Sequence, residues 1–344
     1  MTQQTLIKTV HQLVNTNKGL LAMDESNPTC NKRFAELAIP QTEQMRRDYR
    51  ELLITAKGLG DSVSGVILSD ETFHQHSSNQ QSFIKVIDSL GIIAGIKVDA
   101  GTAELAACPG EKITEGLDKL RPRLQQYAQQ GALFAKWRAV FSIAEHQPSR
   151  ACIQSNAQHL ALYAALCQES GLVPIVEPEI LMEGNHTLAQ CASITERVLH
   201  AVFEHLYQQR VLLEGLILKP NMVLPGELSA LQESDDVIAN VTVQCLLRSV
   251  PASVSGIAFL SGGQSPEHAT SRLNAMNLIN KYRLPWKLIF SFSRAIQTPV
   301  LATWKGKAAN IEQAQQILIH RVKCNQAALN GEYSAKMETM SGAS

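Results

Sequence analysis

The sequence predicts an α/β chain closed into a single (β/α)8 barrel of the TIM type, on three observations. Eight short apolar runs recur along the 344 residues: Gly19 to Met23, Gly65 to Leu68, Ile92 to Val98, Ala132 to Trp137, Leu172 to Val176, Leu213 to Leu218, Gly256 to Leu260 and Leu288 to Phe292. They run continuously without strong alternation, as strands buried on both faces do. Segments of helical period lie between most of them, and successive runs start about 28 to 46 residues apart, enough for a crossover helix that returns the chain parallel. Charged or polar side chains stand at the carboxyl ends of nearly all the runs, the end at which a barrel builds its site.

Taken in order, residues 1–18 predict an extra leading helix before the first strand. Ser155 is placed as an N-cap opening a helix through Leu160, Tyr163, Leu166 and Cys167, with Gly171 as its stop. Leu188, Cys191, Ile194, Val198, Val202 and Leu206 fall three and four apart, on one helical face. Asn310 to Leu329 predicts the last outer helix, and residues 331–344 a polar, mobile tail. No linker rich in Pro, Gly or Ser divides the chain, so residues 1–344 read as one domain. An open, doubly wound sheet is the alternative, because periodicity does not show whether the first and last strands meet.

Composition narrows the function. Apolar residues make up 45% and charged residues 18%, which supplies a large core and excludes intrinsic disorder. Lys plus Arg and Asp plus Glu both number 31, so no global field holds a nucleic-acid backbone or an anionic membrane. No run has the length of a membrane span, and the first residues lack a signal-type apolar stretch, which predicts a cytoplasmic protein. Seven scattered cysteines without a CxxC predict reduced thiols rather than a zinc ribbon or a disulfide framework.

The run ends carry the chemistry. Asp24, Glu25 and Ser26 follow the first; Lys97 and Asp99 belong to the third, Lys136 and Arg138 to the fourth, Glu177 and Glu179 to the fifth, Lys219 to the sixth. Ser261, Gly262 and Gly263 follow the seventh, and Ser291 and Arg294 the eighth. Singly, each reads as a rim charge paired with a neighbour; together, in a closed barrel, they converge on one mouth. Lys219 follows Gly-Leu-Ile-Leu and precedes Pro, at the edge of a dehydrated interior. Dehydration and a second cation such as Lys136 favour a neutral amine, a nucleophile toward carbonyls, with Glu177 placed to move the protons. A plain Lys219–Glu177 salt bridge fits the spacing equally well. The Ser-Gly-Gly-Gln run offers unobstructed backbone N–H groups to a phosphate, with Ser291 and Arg294 facing the same place, while Arg33, Arg46 and Lys97 offer charge for a second anion. His74 and His76 lack a third ligand at comparable position, and GxGxxG, Walker A and GxSxG are all missing, so neither a metal nor a nucleotide cofactor is expected.

The segments LLAMDES, KRFAEL, MRRDYRELL, GVILSDETF, GIKVDAG, GLDKLRPR, FAKWR, PIVEPEIL, LEGLILKPNMV, FLSGGQS and SFSRAIQ resemble, in the same order, the class I (Schiff-base) fructose-bisphosphate aldolases, from about Lys18 to Tyr333. The resemblance implies a (β/α)8 barrel that reversibly cleaves fructose 1,6-bisphosphate into dihydroxyacetone phosphate and glyceraldehyde 3-phosphate without a metal, in central sugar metabolism, as a homotetramer. It implies Lys219 as the Schiff-base lysine, Glu177 as proton donor and acceptor with Glu179 beside it, and Asp24 as the base at the carbon 4 hydroxyl. Lys136 would hold the carbinolamine and Arg138 orient the site. Ser261, Gly262, Gly263, Ser291 and Arg294 would bind the carbon 1 phosphate; Ser26, Thr29, Arg33 and Lys97, helped by Arg46, the other. Three departures stand out: MDES for ADES, SFSR for SYGR, which puts Ser293 at a glycine position, and a last tyrosine at Tyr333 instead of the chain end. The third leaves tail-assisted proton exchange and bisphosphate preference open. A lysine-dependent barrel acting on monophosphates, and a catalytically silent scaffold, are the rival readings.

Overall fold

The computed structural model describes residues 3–279 and 283–339. Eight parallel strands close into a barrel: β1 Gly19–Met23, β2 Val63–Leu68, β3 Ile93–Lys97, β4 Phe134–Phe141, β5 Val173–Ile180, β6 Ile217–Leu218, β7 Gly256–Phe259 and β8 Lys287–Phe292. β1 pairs with β2 on one side and with β8 on the other, through Leu20 opposite Ser291 and Leu21 opposite Phe292. That closure removes the open-sheet alternative.

The leading helix, Gln3–Val14, seals the amino end of the barrel. Its buried Leu6, Val10, Leu13 and Val14 pack with Leu20, Ile67, Phe134, Ile175, Ile217 and Ile289, so the floor of the barrel is apolar and dry. Packing there leaves no room for a side chain at Gly95, whose Cβ would lie 2.2 Å from the Phe134 ring. Lys18 ties this end down by donating to the Gly60 carbonyl at 2.6 Å.

Two expectations are corrected. The helix Arg150–Glu169 is capped by Ser149, whose hydroxyl accepts from the Cys152 N–H at 3.1 Å, and not by Ser155, which lies inside it. Gly171 does stand just past its end, with φ of 77°. β6 is shorter than its apolar run because Leu213–Gly215 forms a 3-10 turn, pinned by the Gln168 amide at the Leu212 N–H and carbonyl. Within the described residues the carboxyl-terminal segment is seated on neighbouring helices. The Tyr333 N–H donates to Asn274 Oδ1 at 2.9 Å, and Lys336–Thr339 forms a helical turn. Residues 340–344 lie outside the described residues.

Strands β4 and β5 run further than their apolar stretches, to Phe141 and Ile180. Arg138, Glu177 and Glu179 therefore lie within the ladder, where Arg138 stands opposite Glu177. Charge interrupts an apolar run without ending a strand when the charges find partners across it. A small antiparallel hairpin, Thr102–Glu104 with Lys112–Thr114, is inserted after β3 and held by Asn156 and His159 of the neighbouring helix.

Candidate active site

The end of β6 shows how local sequence aims Lys219. Its N–H extends the ladder to the Val176 carbonyl at 2.8 Å. Pro220 follows with no donor to continue it, and its carbonyl accepts from the Leu260 N–H at 3.1 Å, which binds β6 to β7. The Asn221 side chain replaces the missing ladder partner, accepting from the Ile180 N–H at 2.9 Å. Lysine, proline and asparagine thus end the strand with replacement partners and leave the amine at the mouth.

Four buried charges meet there. Lys219 Nζ lies 3.2 Å from Glu177 Oε1; Lys136 Nζ lies 3.0 Å from Glu177 Oε2 and 2.6 Å from Asp24 Oδ2. All four side chains are more than nine-tenths buried. Two cations facing two carboxylates balance, which is what makes such burial tolerable. Burial pushes the Asp24 carboxyl up, but Lys136, Lys219 and Lys97 outweigh it and bring it down to about 2. For Glu177, burial is likewise overcome by Lys136, Lys219 and Arg138, which hold it below its ordinary value. Lys136 is itself raised, because Asp24 and Glu177 more than offset its dehydration.

The sign of the Asp24 shift gives a stability prediction. A carboxyl with a lowered folded-state value stabilises above its unfolded value and loses that contribution as pH falls through the folded one. A drop from 3.8 to about 2 corresponds to about 2 kcal/mol. Unfolding free energy is expected to decline by that amount between about pH 4 and pH 2, and urea titrations of Asp24→Asn are expected to lack this decline.

Around the four lie the remaining residues. Arg138 Nε donates to Glu179 Oε2 at 2.5 Å, a strand-to-strand pair beside Glu177. At the seventh strand, Gly262 has φ of 57°, a left-handed turn that glycine adopts without strain, and the Gly263 N–H points at the Met182 sulfur at 3.3 Å. A thioether is a weak acceptor that an anion readily displaces. Beside the β8 end, the buried Ser291 hydroxyl has no hydrogen-bond partner among the described residues, which leaves it able to bond a ligand or water. Arg294 is exposed; partial dehydration, with Arg33 and Arg138 nearby, lowers its proton affinity.

On the other side of the mouth Ser26 caps the helix Asn27–Glu36, with its hydroxyl 3.0 Å from that of Thr29. Lys97 Nζ sits 2.5 Å from Asp99 Oδ1, and Arg33 is paired with Glu25. Arg46 is elsewhere engaged: its guanidinium grips Glu71 at 2.8 and 2.7 Å and donates to Asn31. The structure thus gathers the predicted residues at one mouth while committing Arg46 to an ion pair of its own. His74 is used structurally, against the Asp70 carbonyl and Gln130.

Sequence reasoning missed the hub of this wall. Glu25 accepts from Arg50 at 2.8 Å, Gln297 at 2.7 Å and Ser293 at 3.1 Å, besides pairing with Arg33. Burial raises its carboxyl, but Arg50 and Arg33 more than compensate. Gln297 also donates to the Ala22 carbonyl at 2.7 Å. The hub therefore locks β1 to the helix Arg294–Trp304 after β8, across the closing seam. Its one visible signal was a second acid next to Asp24, a charge that burial obliges to find cations. Ser293, at the position where the family pattern has glycine, turns its hydroxyl to Glu25.

A closed parallel barrel with a buried lysine–carboxylate cluster and two cationic walls at its carboxyl mouth defines an enzyme acting on small anionic substrates. The sequence profile described as "Fructose-bisphosphate aldolase class-I" matches residues 5–344. The cytosolic fructose-bisphosphate aldolase 6 of Arabidopsis thaliana is 49% identical over 98% of this chain and 94% of its own. A probable fructose-bisphosphate aldolase class 1 of Xanthomonas campestris is 48% identical over 97% and 99%. The solved aldolase of Plasmodium falciparum, in complex with TRAP and a small-molecule inhibitor, superposes with a TM-score of 0.94 at 42% identity, covering 96% of each chain. The chain belongs to the class I fructose-bisphosphate aldolase family, the lyases of glycolysis and related sugar metabolism.

Proposed function

We propose that this chain cleaves fructose 1,6-bisphosphate through a Schiff base on Lys219. The observation that carries the reading is the Lys219–Glu177–Lys136–Asp24 cluster, buried at the mouth of the barrel. Glu177 receives the proton that Lys219 sheds, leaving an amine that attacks the ketone carbon of the open-chain sugar. The carbinolamine hydroxyl then leaves as water, taking a proton from Glu177, and a protonated imine remains. Asp24 accepts the proton of the carbon 4 hydroxyl as the bond between carbons 3 and 4 breaks. The released electron pair runs into the imine to give an enamine, and the aldehyde departs. Protonation at carbon 3 and hydrolysis of the imine return the second product and free Lys219.

Lys136 holds both carboxylates in their ionised forms and, with Arg138 and Glu179 beside it, fixes the carbinolamine hydroxyl. Ser261, Gly262, Gly263, Ser291 and Arg294 bind the carbon 1 phosphate, the anion replacing the Met182 sulfur at the Gly263 N–H and engaging the Ser291 hydroxyl. Ser26, Thr29, Arg33 and Lys97 bind the other phosphate. Arg46 supports this wall through Glu71 and Asn31.

The test is borohydride reduction in the presence of dihydroxyacetone phosphate, with the adduct located by peptide mass spectrometry. An adduct on Lys219 is expected; an adduct on another lysine, or none, overturns the assignment. The two-phosphate reading has its own check. Arg33→Ala and Lys97→Ala are each expected to lower kcat/KM for the bisphosphate by about tenfold or more, the scale of one charge-assisted contact, and to change fructose 1-phosphate cleavage far less. Equal losses on both substrates would return the monophosphate alternative. Exposed Tyr207, Leu228, Leu231 and Leu247 offer apolar surface for the homotetramer proposed here. A cytosolic location is proposed on the names of the plant relatives.

A further inference from the structure

We infer a divalent-metal site, separate from the reacting centre, formed by His320 Nε2, Cys324 Sγ and Glu338 Oε2. Among the described residues these make up the one grouping of three metal-competent side chains whose ligand atoms all lie within 4.8 Å of one another. The distances have the right scale for a shared ion. Cys324 Sγ and His320 Nε2 are 3.6 Å apart, and His320 Nε2 and Glu338 Oε2 are 3.4 Å apart. Ligands about 2.0 to 2.3 Å from a tetrahedral zinc ion have edges of roughly 3.3 to 3.6 Å.

Local structure explains why the three meet. His320 and Cys324 lie one turn apart on the helix Ile311–Leu329, so both project from one face. Glu338 comes from the turn Lys336–Thr339, brought back onto that helix by the segment through Tyr333. The carboxylate is already oriented: Tyr333 donates to its Oε1 at 2.8 Å, and Arg321 is paired with its Oε2. A carboxylate oxygen carries two acceptor positions, so Oε2 can keep Arg321 and still bind an ion. Outer partners of this kind orient the ligands of established sites. Cys324 is buried, whereas His320 and Glu338 keep about a fifth of their side-chain surface exposed, which gives an ion a way in and water a fourth position.

The mixed nitrogen, sulfur and oxygen set suits zinc or a like transition ion and suits neither magnesium nor calcium. As the ion binds, the Cys324 thiol gives its proton to solvent and the Sγ–metal bond forms; no electron is transferred. The consequence is mechanical: the ion would clamp the carboxyl-terminal turn to the last outer helix.

The test uses the full-length chain, washed with chelator and titrated with Co2+. One equivalent is expected to give a near-ultraviolet thiolate-to-cobalt charge-transfer band with the intense visible bands of a four-coordinate ion, and Zn2+ to abolish both. Cys324→Ser is expected to remove the charge-transfer band, and Glu338→Gln to weaken Co2+ binding by about tenfold or more. Both variants are expected to keep wild-type aldol cleavage, since neither residue touches the mouth. No saturable band, a band that survives Cys324→Ser, or binding indifferent to Glu338→Gln overturns the site. Should Cys324→Ser not fold, Glu338→Gln decides alone, because Glu338 stands on a terminal turn outside the barrel.

Discussion

Lys219→Met is expected to abolish borohydride trapping and to lower kcat by about four orders of magnitude or more, while the protein stays folded. The nucleophile and its proton-transfer partner act as a unit, so removing the member that forms the bond forfeits nearly all that the others contribute. Folding survives because Glu177 keeps Lys136 at 3.0 Å when the Lys219 amine is gone. Methionine matches the length and apolar stem of lysine, so a side chain of similar volume still fills the position. Steady-state rates, circular dichroism and the trapping experiment together read the result. A folded variant with substantial activity would remove Lys219 from the mechanism and leave its contact with Glu177 as the salt bridge that spacing alone allowed.

Lys136→Met is expected to act in the opposite proportion, lowering stability as well as rate. Lys136 is the cation shared by Asp24 and Glu177, and all three are buried. Removing it leaves two carboxylates facing one remaining cation, and breaking a buried pair in this way costs about 3–5 kcal/mol. Both carboxyls then bind protons more readily, since the cation that does most to hold them down is gone. The deficit against wild type is therefore expected to shrink as pH falls, a dependence that a packing defect would not show. Urea unfolding at several pH values measures it. Cleavage is expected to fall by about a hundredfold to ten-thousandfold, since proton transfer at both carboxylates is disturbed.

Much of the barrel was legible from local pattern. β1 occupies the bounds of its apolar run, Gly19 to Met23, and the other seven strands overlap theirs, because a strand buried on both faces must be apolar wherever no charge has a partner. The candidate mouth residues were legible for a related reason: a charge at the end of an apolar strand has few places to go. What local pattern could not convey was pairing. The extension of β4 and β5 through Arg138, Glu177 and Glu179 depends on charges opposite one another in the ladder, a relation between segments some 40 residues apart. Arg46 looked available for an anion until Glu71, on a different element, claimed the Nε–Nη2 edge of its guanidinium and Asn31 its Nη1.

Local sequence sets the strand runs, the crossover spacing, the lysine at the end of β6 and the order of motifs that marks the family. Each of these depends on residues near one another along the chain. Tertiary structure decided that β1 meets β8, that Glu25 binds Arg33, Arg50, Ser293 and Gln297 across that seam, and that His320 and Cys324 acquire Glu338 as a neighbour. Closure and ion pairing are set by which distant groups share a dehydrated space, and no local periodicity carries that information.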